Sequence, residues 1–255
     1  MLAVGIDIGS ITTKAAALLD GRLIGTSLIF TGYNSAAAGK KVFTELLAAA
    51  SINDTSGIKV VSTGYGRRSL DFADKAITEI TCHAAGAYFL NDKMRFIIDI
   101  GGQDSKAILL DENGKVKNFV MNDKCAAGTG RFLEVMARAL EINLDDFGVL
   151  SLAAHDPAQI SSLCTVFAES EVISLISRGA ARENIIAGIH ESIGSRIAAL
   201  AARTGLATPL MVTGGVAKNV GLIKALEKAL GIKTEVSKYA QLTGAIGAAV
   251  LATKL

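Results

Sequence analysis

Short apolar runs alternate with tight polar turns from the first residues onward. The run LAVGIDI ends in Asp7-Ile8-Gly9, a polar turn leads through Lys14 into AAALLD, and an Asp20-Gly21 turn precedes RLIG. Runs of this length bounded by Gly and Asp predict β-hairpins. The spacing then lengthens: AAAGKKVFTELLAAA has apolar residues at intervals of three and four and predicts a helix. The same order of patterns returns 92 residues further on, where Asp99 answers Asp7. IDIGGQDSKAILLD repeats strand, Asp-Ile-Gly turn, Lys and second strand; ENGKVKNF supplies the third; RFLEVMARALE and ESEVISLISR have helical periodicity. Two βββ-plus-helix units of similar size predict a duplicated, two-lobed α/β molecule, with a cleft where the two turns face each other. A further strand, PLMVT, runs into Gly214-Gly215 and an amphipathic helix from about Val220, and the apolar TGAIGAAVLA follows near the C-terminus.

Composition narrows the class. Half of the 255 residues are hydrophobic but only 5% are aromatic, a balance that suits close packing of small residues between helix and sheet. The formal net charge is +2 with no basic block, so nothing marks a nucleic-acid partner. The N-terminus lacks a basic segment and meets Asp7 early, unlike a signal peptide. No continuous apolar run reaches the ~18–20 residues of a membrane span. A cytoplasmic protein without a membrane partner is expected. Three cysteines, an odd number, argue for thiol or metal chemistry over a disulfide framework.

The turns carry chemistry of their own. Gly9 with Ser10, and Gly101 with Gly102, lack side-chain bulk, so successive backbone N–H groups can close around an anion. Ser10, Ile11, Thr12, Thr13 and Lys14 form the first candidate phosphate turn, combining hydroxyl donors with a point charge. Gly101, Gly102 and Gln103 form the second. Asp7, Asp99 and Asp104 offer the hard oxygens that Mg²⁺ prefers, commonly through its waters. Asp7 is the candidate for the metal shell, and Gln103 and Asp104 for positioning an attacking water. Gly214 and Gly215 would let adenosine lie against backbone, with Gln241 as a further nucleotide contact. The sequence has neither a P-loop nor a GxGxxG fingerprint with its acidic residue. With GIDIGSITTK, IDIGGQDSK, VTGGVAKN and TGAIGAAVLA in this order, the chain resembles the actin, hexokinase and Hsp70 superfamily of ATPases. That resemblance implies a ribonuclease H-like ATPase fold of duplicated βββαβα units. It also implies a first lobe of residues 1–93 plus 240–255 and a second of residues 94–239.

Cys125 in NDKCAAGTGR and Cys164 in SSLCTVFAESE each precede a helix pattern, where free N–H groups and the helix dipole favour thiolate. Cys82, in TEITCHAAGAYF, falls inside a helical pattern and is expected in the core beside a structural His83; His155 and His190 read as surface or capping residues. Two thiolates complete neither a zinc nor an iron–sulfur site, and no nearby histidine makes up the shortfall. A twofold dimer does, because each protomer contributes two cysteines at the axis. Adding STGYGRRSLDFADK, EITCHAAGA, MNDKCAAGTGRFLEVMA and CTVFAESEVISL, the chain resembles the activators of 2-hydroxyacyl-CoA dehydratases, the archerases, in the BadF/BadG/BcrA/BcrD-type ATPase family. The resemblance implies a homodimer bridged by one 4Fe–4S cluster on Cys125 and Cys164, with an ATP/ADP and Mg²⁺ site in each protomer. It further implies reduction by a ferredoxin or flavodoxin. ATP hydrolysis would then drive one low-potential electron into an iron–sulfur client, a dehydratase or a double-cubane cluster protein. Arg67 and Arg68 in GYGRRS are candidates for docking that client. The rival within the superfamily is a small-molecule kinase, for which the sequence offers no acceptor pocket.

Overall fold

The computed structural model describes residues 1–161 and 164–255; Ser162 and Leu163, within the SSLC motif, lie outside it. The chain divides into two compact units. The first comprises Met1–Ile97, Ile108–Asn118 and Ser237–Leu255, and the second Ile98–Ala107 and Phe119–Val236.

In the first unit β1 (Leu2–Ile8), β2 (Thr12–Leu19) and β3 (Arg22–Phe30) form an antiparallel meander. After α1 (Ser35–Ala49), β4 (Lys59–Thr63) adds parallel to β1, and β5 (Lys75–Ala76) adds parallel to β4. The sheet order is β3-β2-β1-β4-β5. Strand alternation sends Val4, Ile6 and Ile8 to one face, where they pack with Val42 and Leu46 of α1. Asn34 starts that helix by accepting the Ala37 N–H at 3.0 Å. Ala3, Ala16 and Leu18 supply the other face, covered by α8 (Thr243–Ala252). The TGAIGAAVLA pattern is thereby explained: eight of the ten residues of α8 are buried, so the helix is apolar all round. It lies against both β1 and α2 (Glu79–Leu90), and a Cβ on Gly5, Gly86 or Gly247 would overlap a backbone carbonyl oxygen of the neighbouring element.

The strands β6 (Phe96–Ile100), β7 (Ser105–Leu110) and β8 (Val116–Asn122) begin the second half. Four helices follow: α3 (Gly130–Ala139), α4 (Leu144–Ser151), α5 (Thr165–Ser177) and α6 (Arg182–Thr204). Then come β9 (Leu210–Thr213), α7 (Val220–Leu230) and β10 (Glu235–Val236), with a 3-10 turn over Gly215–Lys218. The second sheet runs β10-β9-β6-β7-β8, the order of the first with each strand replaced by its counterpart. The duplication is therefore one of topology as well as of sequence. It is not symmetric in helices. The segment between β4 and β5 is a loop where α7 stands in the second half, and α3–α6 replace the single α1.

Two expectations need correction. Residues 94–97 and 108–118, expected in the second lobe, group with the first unit, where the Leu110 N–H donates to the Arg95 carbonyl (2.9 Å) and Gly114 packs on the Tyr88 ring. And α6 is long and apolar enough, by length and composition, to cross a membrane. Scattered polar residues hide this from a search for continuous apolar runs. More than half of that stretch is buried inside its own unit, as a core helix.

Candidate functional site

The first turn is closed by the Gly9 N–H donating to the Thr12 carbonyl at 3.1 Å, and the second by Gly101 N–H to the Asp104 carbonyl at 2.9 Å. The match extends to side chains. Lys14 Nζ lies 3.2 Å from Asp7 Oδ2, and Lys106 Nζ 3.1 Å from Asp99 Oδ2, each pair seven residues apart across its turn. In the second turn Lys106 also holds Asp104 Oδ1 at 2.8 Å, and Thr213 donates its hydroxyl to Asp99 Oδ1 at 2.8 Å. Asp99 and Lys106 are each only 2% exposed and Asp104 6%. Burial of this kind requires that each charge be paired and hydrogen-bonded. Lys106 is thus the counter-ion of two carboxylates, and Gln103 stands exposed at the tip of the turn.

In the first turn Gly9, Ser10, Ile11, Thr12 and Lys14 are partly exposed. Thr13 is not: strand alternation points it inward, where its hydroxyl meets Thr31 Oγ1 at 2.9 Å. Its expected phosphate contact is therefore unavailable to that hydroxyl. Asp7 is enclosed by more than Lys14. A Cβ on Gly64 would come 2.5 Å from Asp7 Oδ1, and one on Gly244, in the first turn of α8, 2.9 Å from Asp7 Oδ2. Gly214 stands in the same relation to the second turn, 3.0 Å from Asp99 Oδ1 by the same construction. Both glycines follow a Thr at the end of a parallel strand and have positive φ (+84° and +90°), a conformation that favours Gly. The pairing of STG at 62–64 with VTG at 212–214 was readable in the sequence and marks Gly64 as a further turn residue. Gly215 is exposed beside Gly214, and Gln241 is half-buried in the 3-10 turn Ala240–Leu242 that leads into α8.

The cysteines differ from one another. Cys82 is buried in α2, and burial pushes its thiol up to about 12, so it is inert core. Cys164 is exposed and is the N-cap residue of α5, as the dipole argument requires. Cys125 is half-buried in a loop several residues ahead of Thr129, the N-cap of α3. Its helix N–H groups are committed elsewhere: Gly130 N–H donates to the Gly101 carbonyl (2.9 Å) and Arg131 N–H to the Gly102 carbonyl (2.8 Å). The second turn therefore holds the end of α3 directly, a tertiary link that no local pattern announces. The loop itself is braced by Asn122, whose Nδ2 donates to the Cys125 carbonyl (2.8 Å), and by Thr129 Oγ1 donating to the Ala126 carbonyl (2.6 Å). Val166 and Phe167, next to Cys164, are 66% and 67% exposed. Among the described residues no group of three or more His, Cys, Asp and Glu side chains is arranged to hold a metal ion.

One expectation about the histidines changes. His190 is neither a surface nor a helix-capping residue: it is 1% exposed, and burial pulls its imidazole down to about 4. Arg67 turns its guanidinium to the Gly64 carbonyl at 3.1 Å, bracing the turn, while Arg68 is exposed.

Residues 4–252 match the BadF/BadG/BcrA/BcrD ATPase family. The activator of lactoyl-CoA dehydratase from Anaerotignum propionicum is 49% identical over 99% of this chain and 97% of its own. The crystal structure of (R)-2-hydroxyglutaryl-CoA dehydratase component A from Acidaminococcus fermentans superposes with a TM-score of 0.96 at 45% identity, covering 100% of this chain and 98% of that one. The activator of 2-hydroxyisocaproyl-CoA dehydratase from Clostridium difficile, solved with bound ADPNP, gives 0.93 at 43% identity over 100% and 95%. A ROK family glucokinase from Streptomyces griseus, 16% identical with a TM-score of 0.60, shares the fold alone. The chain is an ATPase of actin- and hexokinase-like fold and belongs to the BadF/BadG/BcrA/BcrD ATPase family.

Proposed function

We propose that this ATPase is an electron-transfer activator in which two copies of the chain share one 4Fe–4S cluster through Cys125 and Cys164 of each. The observation that carries the reading is the pair of hydrogen bonds from the first N–H groups of α3 to the carbonyls of Gly101 and Gly102. Any shift of the second turn on loss of the γ-phosphate is passed to the helix end that closes the Cys125 loop. The donor set fits a shared cluster: two accessible cysteines per chain, no third ligand grouped with them among the described residues, and exposed Val166 and Phe167 beside Cys164 to bury against a second copy. When bound, the cluster supplies a one-electron store whose potential depends on exposure and on hydrogen bonds to its sulfurs.

On this reading Ser10, Thr12, Lys14 and the N–H groups at Gly102 and Gln103 would bind phosphates, and Asp7 would meet Mg²⁺ through water. Gln103, exposed at the turn, is better disposed than the lysine-bound Asp104 to orient a water. The activators among its relatives support a 2-hydroxyacyl-CoA dehydratase as client; an iron–sulfur centre in that client, a ferredoxin or flavodoxin as donor and a cytoplasmic location complete the proposal. Anaerobic purification of the wild type and of Cys125→Ala and Cys164→Ala, with iron analysis and size measurement, tests the assignment. The wild type should be a brown dimer with iron in the ratio of four per dimer. Each variant should lose the iron and retain ATP binding. Full iron in either variant, or in a monomer, rejects shared ligation.

A further inference from the structure

A cavity of about 290 Å³ opens in the second unit between the strands β7 and β8 and the helix α6. Its walls carry Ser105, Asn122, Arg196 and Arg203 as polar groups, and no carboxylate lines it. The two arginines are seven residues apart on α6 and so lie on one stripe of the helix. Neither makes an ion pair with a described residue. Ser105 is 1% exposed, and its hydroxyl has no hydrogen-bond partner among the described residues. A buried hydroxyl left so costs about 1–3 kcal/mol.

The duplication supplies an internal control. Ser105 occupies the position of Thr13 in the first turn, each one residue before the turn lysine. There the hydroxyl is satisfied by Thr31. In the second turn that partner is missing, and a cavity with two guanidinium groups stands in its place. We infer that this cavity is a second anion site, distinct from the nucleotide turns, that takes a small tetrahedral oxyanion of the phosphate class. Guanidinium forks match such oxygens in pairs, and the serine hydroxyl completes the set; the Asn122 amide, spent on the Cys125 and Ala127 carbonyls, borders the site without donating to it. Occupancy would also reach the cysteine loop. Asn122 holds the Cys125 carbonyl, and Arg196 Cδ packs 3.3 Å from where a Cβ on Gly128 would sit. The inference rests on the cavity and not on the shared cluster, so either can fail alone.

The test is equilibrium dialysis of radiolabelled inorganic phosphate against the full-length protein, with saturating ADPNP and Mg²⁺ present to fill the nucleotide turns through the γ position. The wild type should bind one phosphate per chain. Arg196→Gln should bind it at least about tenfold more weakly, the loss of one charge-assisted pair. Ser105→Ala removes a hydroxyl with no partner and should melt no lower than the wild type, yet bind phosphate several-fold more weakly. Hydrogen exchange in residues 122–129 should slow on adding phosphate to the wild type and not to Arg196→Gln. No phosphate bound in the presence of ADPNP, or equal affinity in the wild type and both variants, overturns the site. Binding that both variants weaken without any phosphate-dependent protection of residues 122–129 upholds the site and overturns its link to the cysteine loop.

Discussion

Acid should destabilise the second unit through one side chain, His190. Its ring lies among α4, α6 and α7, with Nδ1 3.0 Å from Ser151 Oγ, Nε2 3.2 Å from Asn219 Nδ2, and the Phe147 ring edge-on at 5.5 Å. The neighbours fix the tautomer. Ser151 spends its own proton on the Gly148 carbonyl, so it must accept from Nδ1–H. Asn219 Oδ1 takes the Leu222 N–H, so its amide NH₂ must donate to Nε2. A second ring proton would meet the Asn219 donor head-on, in a place where burial already disfavours charge. Burial moves the folded pKa from 6.5 to about 4, which is worth about 3 kcal/mol. Because the folded value is depressed, the unfolded chain takes up the proton first. Stability is whole above pH 6.5 and falls as pH drops towards 4. Urea unfolding of the wild type and His190→Asn at steps across that range measures it. Both will lose stability as carboxylates titrate, but the wild type should lose about 3 kcal/mol more. Parallel curves would refute both the tautomer and the burial argument.

Two further perturbations follow from the packing of the turns. Lys106→Met leaves Asp99 and Asp104 buried without their shared cation, and should cost about 3–5 kcal/mol in chemical denaturation and abolish ATP turnover. A variant of wild-type stability would mean that the carboxylates are neutral. Gly247→Ala drives a methyl into the Cys82 carbonyl where α8 crosses α2, at a cost of about 3 kcal/mol and roughly 6–12 °C in Tm. An unchanged melting curve would show that the two helices have slack to separate.

The turns were legible because they rest on local rules. A strand that ends in Asp-Ile-Gly and restarts at a lysine places acid, bare backbone and cation within one hairpin, and the repeat made coincidence implausible. The inward set of Thr13 was legible too, since Thr13, Ala15 and Ala17 share one face of β2, and Ala15 and Ala17 belong to the core under α1. His190 was not. A histidine in a helix whose buried positions run nearly all round gives no clue to its own burial until α4 and α7 are in place. The α3 contact was hidden for the same reason. Cys125 was read from its nearness in sequence to a helix, but the N–H groups of that helix were already engaged by a turn some thirty residues earlier.

That contact also distinguishes two turns that otherwise match. In the first, the Gly9 carbonyl accepts the Thr31 hydroxyl at 2.8 Å, a bond to the strand end beside it. In the second, the corresponding Gly101 carbonyl accepts the Gly130 N–H, and the next carbonyl takes Arg131. The first turn is therefore tied into its own sheet. The second is tied to a helix end, and a displacement there must either break two backbone hydrogen bonds or carry α3 with it. Two such bonds are each worth about 0.5–1.5 kcal/mol in place and more if left unpaired, so the helix moving as a body is the lower-energy response. The duplicated unit has diverged at this position: one turn is fixed in its own sheet, and the other is bonded to the helix end next to the Cys125 loop, the route by which the proposed function would pass nucleotide state towards that cysteine.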